Sequence, residues 1–193
     1  MKLVILIHGL PSKDEYYNSE WPSESNAHWF PSIQREVLRK GILCQALEMP
    51  HPYNPNYRDY CEVLDQMNIN EETILVGHSC GGGFLIRYFS EHKNLKPKKI
   101  VLVAPWLDPE GYLKELNPET DFFDFKIDPE LSNKSKIDII YSTDDKEYIL
   151  QSVERIKKEI SNTVDHVFSD KGHFTEPDLG TKEFPELLDI ILK

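Results

Sequence analysis

The sequence predicts an α/β fold of the doubly wound kind, with parallel strands buried beneath helices on both faces. Three observations predict it. Short apolar runs alternate with longer segments of helical periodicity along all 193 residues, the signature of repeated βα units. One of these junctions, Gly77-His78-Ser79-Cys80-Gly81, sets the spacing G-x-S-x-G directly between a strand-like and a helix-like run. The last strand-like run is followed by Gly172-His173-Phe174, which puts a histidine on a loop at the far end of the chain.

Residues 1–7, Met-Lys-Leu-Val-Ile-Leu-Ile, make a buried parallel strand. They look like a secretion signal, but only five apolar residues precede His8. A signal needs about 7–15, followed by a small-residue cleavage site that this sequence lacks. His8-Gly9-Leu10 turns out of the strand into a long polar loop over 11–27. A helix over 29–40 is stopped by Gly41, and a second strand covers 42–47. Proline-containing 49–55 is a rigid connection to a helix over 57–67. The third strand, 73–76, enters the serine turn, from which a helix over 82–92 emerges. Strands over 99–103, 137–141 and 165–168 complete six, with helices over 147–160 and 182–192. The 105–135 excursion is too long for an ordinary connection. Without internal repeats or a composition break, one domain over 1–193 is expected.

The serine turn carries the chemistry. G-x-S-x-G between strand and helix is the nucleophile elbow, in which a serine stands on a sharp turn above the carboxyl edge of the sheet. The glycines allow main chain to approach main chain where a Cβ would obstruct. A serine hydroxyl needs a base to take its proton and a third group to orient that base. His173, on a loop after the sixth strand, has the right chain order and setting for the base. The other six histidines do not: His8 ends the first strand, His78 lies inside the turn, His28, His51 and His92 come before or too near the serine, and His166 is a sheet residue.

The acid is expected in Ser142-Thr143-Asp144-Asp145, at the carboxyl end of the fifth strand. Asp145 begins the turn into the next helix, from which it can accept the His173 Nδ1 proton. Asp144 would then bond the turn's own backbone. Asp144 remains an alternative, and Asp108, one strand earlier, a weaker one. Two backbone N–H groups must also meet the charge that develops on the carbonyl oxygen. The amide of Cys80, at the helix N-terminus, and that of Leu10, after Gly9, are the expected pair. Trp106 is a candidate substrate-binding residue at the end of the fourth strand. Phe122, Phe123 and Phe125, further into the excursion, read better as a satellite core.

Composition bounds the rest. An apolar content of 39% and aromatic content of 11% suit a folded domain, and a chain of this length buries roughly 70% of its unfolded surface. No apolar run approaches the roughly 20 residues of a membrane span. A net charge of -11 argues against nucleic acid and anionic membranes as partners. Cys44, Cys61 and Cys80 suit a reducing, cytoplasmic setting and lack zinc-site spacing. Cys80 stands beside the serine, where a thiol reagent would block the site. There is no phosphate loop, H-E-x-x-H helix or dinucleotide fingerprint, so neither metal nor cofactor is expected.

Several segments together resemble the retinoblastoma-binding-protein-9-like serine hydrolases and their bacterial YdeN-type relatives. They are His8-Gly9, His28-Trp29-Phe30-Pro31, Met49-Pro50, Gly77 to Gly81, Leu102-Val103-Ala104-Pro105, Ser142 to Asp145 and Gly172-His173-Phe174. The resemblance implies a three-layer α/β-hydrolase fold with a mostly parallel six-stranded sheet, order 2-1-3-4-5-6, and no large cap domain. It also implies a Ser79–His173–Asp145 triad acting on small esters or amides inside the cell. Binding of the retinoblastoma protein does not follow, since no Leu-x-Cys-x-Glu segment surrounds any cysteine. The expected activity is that of a carboxylesterase-like serine hydrolase on a small-molecule ester. The alternatives are an aminopeptidase- or amidase-type hydrolase, in which Glu15, Asp108 or another acid would hold the substrate amine, and a hydrolase-like binding protein with little turnover. The oligomeric state is left open.

Overall fold

Leu3-Val4-Ile5-Leu6-Ile7 shows no alternation of polar and apolar residues, and the fold buries both of its faces. The computed structural model describes residues 2–193, and Met1, expected in the first strand, lies outside the described residues. The strands are β1 (Leu3–Ile7), β2 (Leu43–Leu47), β3 (Thr73–His78), β4 (Lys99–Val103), β5 (Lys136–Ser142) and β6 (Val164–Phe168). They form one six-stranded sheet in the order β2-β1-β3-β4-β5-β6, with every neighbouring pair parallel. Residues of β1, β3 and β4 are buried almost throughout, as strands covered on both faces must be. The edge strands β2 and β6 instead mix exposed and covered positions.

The helices are α1 (Lys13–Tyr17), α2 (Phe30–Arg39), α3 (Tyr57–Leu64), α4 (Cys80–Glu91), α5 (Tyr112–Leu116), α6 (Leu131–Lys134), α7 (Glu147–Glu159), α8 (Glu176–Leu179) and α9 (Pro185–Leu192). Helix α4 packs on β3 and β4, α2 on β2, and α7 on β5. No helix among the described residues is long and apolar enough to cross a membrane.

Several boundaries differ from the sequence-based expectation, each for a local reason. Strand β3 runs through Gly77 and His78, because these polar-looking residues still pair with Leu102 and Val103 of β4. Helix α4 starts at Cys80 rather than 82, since three successive glycines mask its first turn. Helix α3 ends at Leu64, and α9 starts at Pro185, whose ring suits a first helical turn. The expected loop over 11–27 contains α1, whose Ser12 and Glu15 form a reciprocal capping box. It also contains a short 3-10 turn, Glu24–Asn26.

The excursion after β4 contains α5 and α6. Phe122 is fully buried there, with its ring edge-on to Tyr60 at 5.2 Å between centroids. Phe123 and Phe125 pack against the core from partly covered positions. These rings anchor the segment to the domain, and Phe123 stands edge-on to Trp106 at its root, 5.5 Å between centroids.

Candidate active site

The turn after β3 puts Ser79 in a conformation that few residues adopt, with φ 52° and ψ −119°. Neighbouring chain holds it there. The Ser79 amide donates to the Val103 carbonyl at 2.9 Å, and its own carbonyl accepts from the Gly82 and Trp106 amides, both at 3.0 Å. The flanking glycines are needed for close approach. A Cβ on Gly77 would lie 2.6 Å from the backbone of Gly81, and one on Gly81 would lie 2.5 Å from the carbonyl oxygens of Ile7 and His8.

At the end of β1, the buried His8 ring makes two bonds that define its tautomer. Nε2 accepts from the Met49 amide at 2.9 Å, so the proton sits on Nδ1, which donates to the Gly9 carbonyl at 2.8 Å. Burial holds this imidazole below its ordinary pKa, which keeps it neutral. The Gly9 carbonyl and the Leu10 N–H belong to one trans peptide and point in opposite directions. Fixing the carbonyl toward His8 therefore turns the Leu10 N–H away from it. Neither the Leu10 nor the Cys80 amide donates to another group among the described residues.

After β6, the loop carrying His173 is held at successive backbone groups. The Lys171 amide donates to Ser142 Oγ at 3.1 Å, and the Gly172 amide to Asp144 Oδ1 at 3.1 Å. The His173 amide donates to Asp178 Oδ2 at 3.0 Å, while its carbonyl accepts from His78 Nε2 at 2.8 Å. Trp29 Nε1 then donates to the Phe174 carbonyl at 3.0 Å. On the fixed ring, Nδ1 lies 2.9 Å from Asp145 Oδ2, and Nε2 is left without a partner among the described residues. Asp144 turns the other way, accepting from Ser142 Oγ at 2.5 Å. That bond holds its carboxyl below the ordinary range.

Ser79, His173, Leu10 and Lys146 line two adjoining compartments. One, of about 280 Å³, also takes in Glu15, Trp21, Glu24 and His28. The other, of about 360 Å³, is walled by Trp106, Tyr112 and Tyr148. The indole Nε1 of Trp106 is buried without a partner among the described residues. The serine, the histidine and one free amide thus meet between a polar and an aromatic chamber. Among the described residues, no group of three or more His, Cys, Asp or Glu side chains is placed to hold a metal ion.

Two sequence-based expectations need correction. Asp108 is turned away from His173 and accepts from the Tyr112 and Leu113 amides at 2.7 and 3.0 Å, closing the start of α5. Cys80 is buried, and burial raises its thiol well above the ordinary value. It is therefore not the reactive neighbour of the serine that its position suggests. Glu24, Lys146, His78 and Asp178 were not anticipated. Of these, only Asp178 had a sequence signal, the Thr175-x-x-Asp178 cap at the start of α8.

Comparison with known proteins points the same way as this geometry. A family model described as serine hydrolase matches residues 17–192. YdeN of Bacillus subtilis (strain 168), which carries the name of a hydrolase, is 28% identical over 98% of this chain and 94% of its own length. The crystal structure of the ydeN gene product from B. subtilis superposes with a TM-score of 0.79 at 24% identity, covering 100% of this chain and 97% of that one. An esterase from Exiguobacterium antarcticum superposes with a TM-score of 0.61 at 13% identity, over 100% of this chain and 91% of its own. The last two likenesses concern the fold.

Proposed function

The chain belongs to the serine hydrolase family, and from that premise we propose that it cleaves small esters through an acyl-enzyme on Ser79. The observation that carries this reading is the 2.9 Å bond between His173 Nδ1 and Asp145, on a ring whose other nitrogen is free beside a strained serine. In this reading, His173 Nε2 takes the Ser79 proton as Oγ attacks the substrate carbonyl carbon. The Leu10 and Cys80 amides hold the resulting oxyanion, and Asp145 steadies the imidazolium. The imidazolium then gives its proton to the leaving alcohol oxygen as the C–O bond breaks. Water attacks the acyl-enzyme, with His173 again accepting a proton, and its return to Ser79 Oγ releases the acid.

The aromatic chamber around Trp106 suits an apolar acyl or alcohol portion. The hydrolase name of YdeN supports hydrolysis as the reaction, and the esterase name of the E. antarcticum neighbour supports an ester as the bond cleaved. The reading needs neither metal nor organic cofactor, takes a small molecule rather than nucleic acid or membrane as its partner, and places the whole chain as one working domain in the cytoplasm. The test is turnover of p-nitrophenyl acetate. The wild type is expected to exceed Ser79→Ala by about 10³-fold or more, whereas equal rates would leave a binding protein on a hydrolase fold.

A further inference from the structure

The polar chamber beside Ser79 contains a charge that the ester chemistry leaves unused. Glu24, on the 3-10 turn between α1 and α2, is only 7% exposed, and it lines the cavity shared by Ser79 and His173. Its carboxylate has no hydrogen-bond or ion-pair partner among the described residues. Its charged neighbours make matters worse. Burial, then Glu48, then Glu15 push its carboxyl up to about 7. Glu48 reaches it from beyond β2, where it accepts from the Ser25 amide at 2.9 Å. Glu15 comes from α1, where it accepts from the Ser12 amide at 2.8 Å.

The nearby histidines bring no compensation, because burial keeps both His8 and His28 below the ordinary imidazole value and therefore neutral. The cation in the chamber is Lys146, whose Nζ lies 5.7 Å from the Tyr148 ring centroid and makes no ion pair with Glu24. A buried carboxylate without a counter-charge is costly, and the cavity that Glu24 lines is where a counter-charge can reach it. Trp21 lines the same cavity, and an indole attracts an ammonium group.

We propose that Glu24, with Glu15 and Trp21, forms a recognition subsite for a protonated amine, so that the favoured substrates are small esters or amides bearing an ammonium group. This rests on the hydrolase reading and specifies its substrate class. A chamber of about 280 Å³ limits that substrate to a small molecule or a single aminoacyl-sized unit. The net charge of -11 also favours the approach of cations.

Calorimetric titration with benzylammonium, and with benzyl alcohol as its neutral match, tests the subsite without relying on turnover. Benzylammonium is expected to bind at least about tenfold more tightly, and Glu24→Gln to remove most of that advantage. Ammonium binding near neutral pH is also expected to release protons from Glu24, seen as a dependence on buffer ionisation enthalpy that Glu24→Gln lacks. Equal affinity for the two ligands in the wild type overturns the proposal whether or not Glu24→Gln folds. An ammonium preference that survives unchanged in a folded Glu24→Gln also overturns it. In the kinetic arm, the ratio of kcat/KM for alanine ethyl ester to that for ethyl propionate should fall about tenfold in Glu24→Gln, and an unchanged ratio counts against the subsite. Loss of all ester turnover with ammonium binding intact overturns the hydrolase reading and spares the subsite.

Discussion

His78 Nε2 donates to the carbonyl of His173 at 2.8 Å, tying the residue before the serine to the backbone of the proposed base. The two rings also approach to 5.0 Å between centroids. One partly buried bond thus spans 95 residues of sequence and joins the turn after β3 to the loop after β6.

Burial of the His78 ring, rather than that bond, makes stability sensitive to acid. Burial, reinforced by His173 and His28, holds the His78 imidazole well below its ordinary value of 6.5. A group with a depressed folded pKa contributes stability that is complete above its unfolded value and lost as pH falls through the folded one. The melting temperature is therefore expected to fall between about pH 7 and about pH 5, and to fall less in His78→Gln. Thermal melts across that range check it, and identical slopes for the two proteins would contradict it.

Removing His8 should free two backbone groups, the Met49 amide and the Gly9 carbonyl. Without the Nδ1–H bond to the Gly9 carbonyl, the Gly9–Leu10 peptide loses the contact that fixes the direction of its N–H. His8→Ala is expected to lower kcat by about tenfold to a hundredfold, less than the roughly 10²–10³-fold lost with an oxyanion donor itself. The effect should fall on kcat with little change in KM, as steady-state kinetics on p-nitrophenyl acetate would report.

Asp144 and Asp145 should separate cleanly. Asp145 meets His173 Nδ1, whereas Asp144 ties Ser142 to the Gly172 amide. Asp145→Asn is expected to reduce kcat by about 10³–10⁴-fold, with a melting temperature near that of the wild type. Asp144→Asn is expected to cost about tenfold or less in kcat and to lower the melting temperature, because it weakens a loop tether. The reverse ranking in kcat would reassign the acid.

Glu24 should be a stability liability in alkali. Its folded carboxyl is raised from 4.5 to about 7, first by burial and then by Glu48 and Glu15. A raised folded pKa gives stability that is complete below the unfolded value and lost as pH rises through the folded one. Glu24→Gln is therefore expected to be the more stable protein near pH 8, by on the order of 2 kcal/mol, with the advantage vanishing near pH 4. Urea unfolding at the two pH values measures it.

Much of this architecture is legible in the linear chain because central parallel strands advertise themselves as unbroken apolar runs. Val4 to Ile7 and Ile100 to Val103 leave little alternative to a strand buried on both faces. The serine turn and His173 are legible for a related reason, since glycine spacing and chain order are properties of the sequence itself. What escapes notice depends on distant packing. Glu24 reads as one acid in a polar stretch, and only the docking of its turn beside Glu48 and the cavity makes it buried and unpartnered. The choice between Asp144 and Asp145 depends on which way adjacent side chains leave a turn, which spacing does not encode. Cys80 misled because adjacency to the serine says nothing about the side-chain direction, which here points into the core. The helix at Lys13–Tyr17 was within reach, since Ser12-x-x-Glu15 is a readable cap.

The most direct measurement is covalent labelling with a fluorophosphonate, followed by peptide mass mapping. If Ser79 is the activated nucleophile, a single phosphonyl adduct maps to the peptide containing Gly77 to Gly81, and Ser79→Ala takes up no label. A folded Ser79→Ala protein that labels at the wild-type rate, or an adduct mapped to another residue in the wild type, would contradict the account.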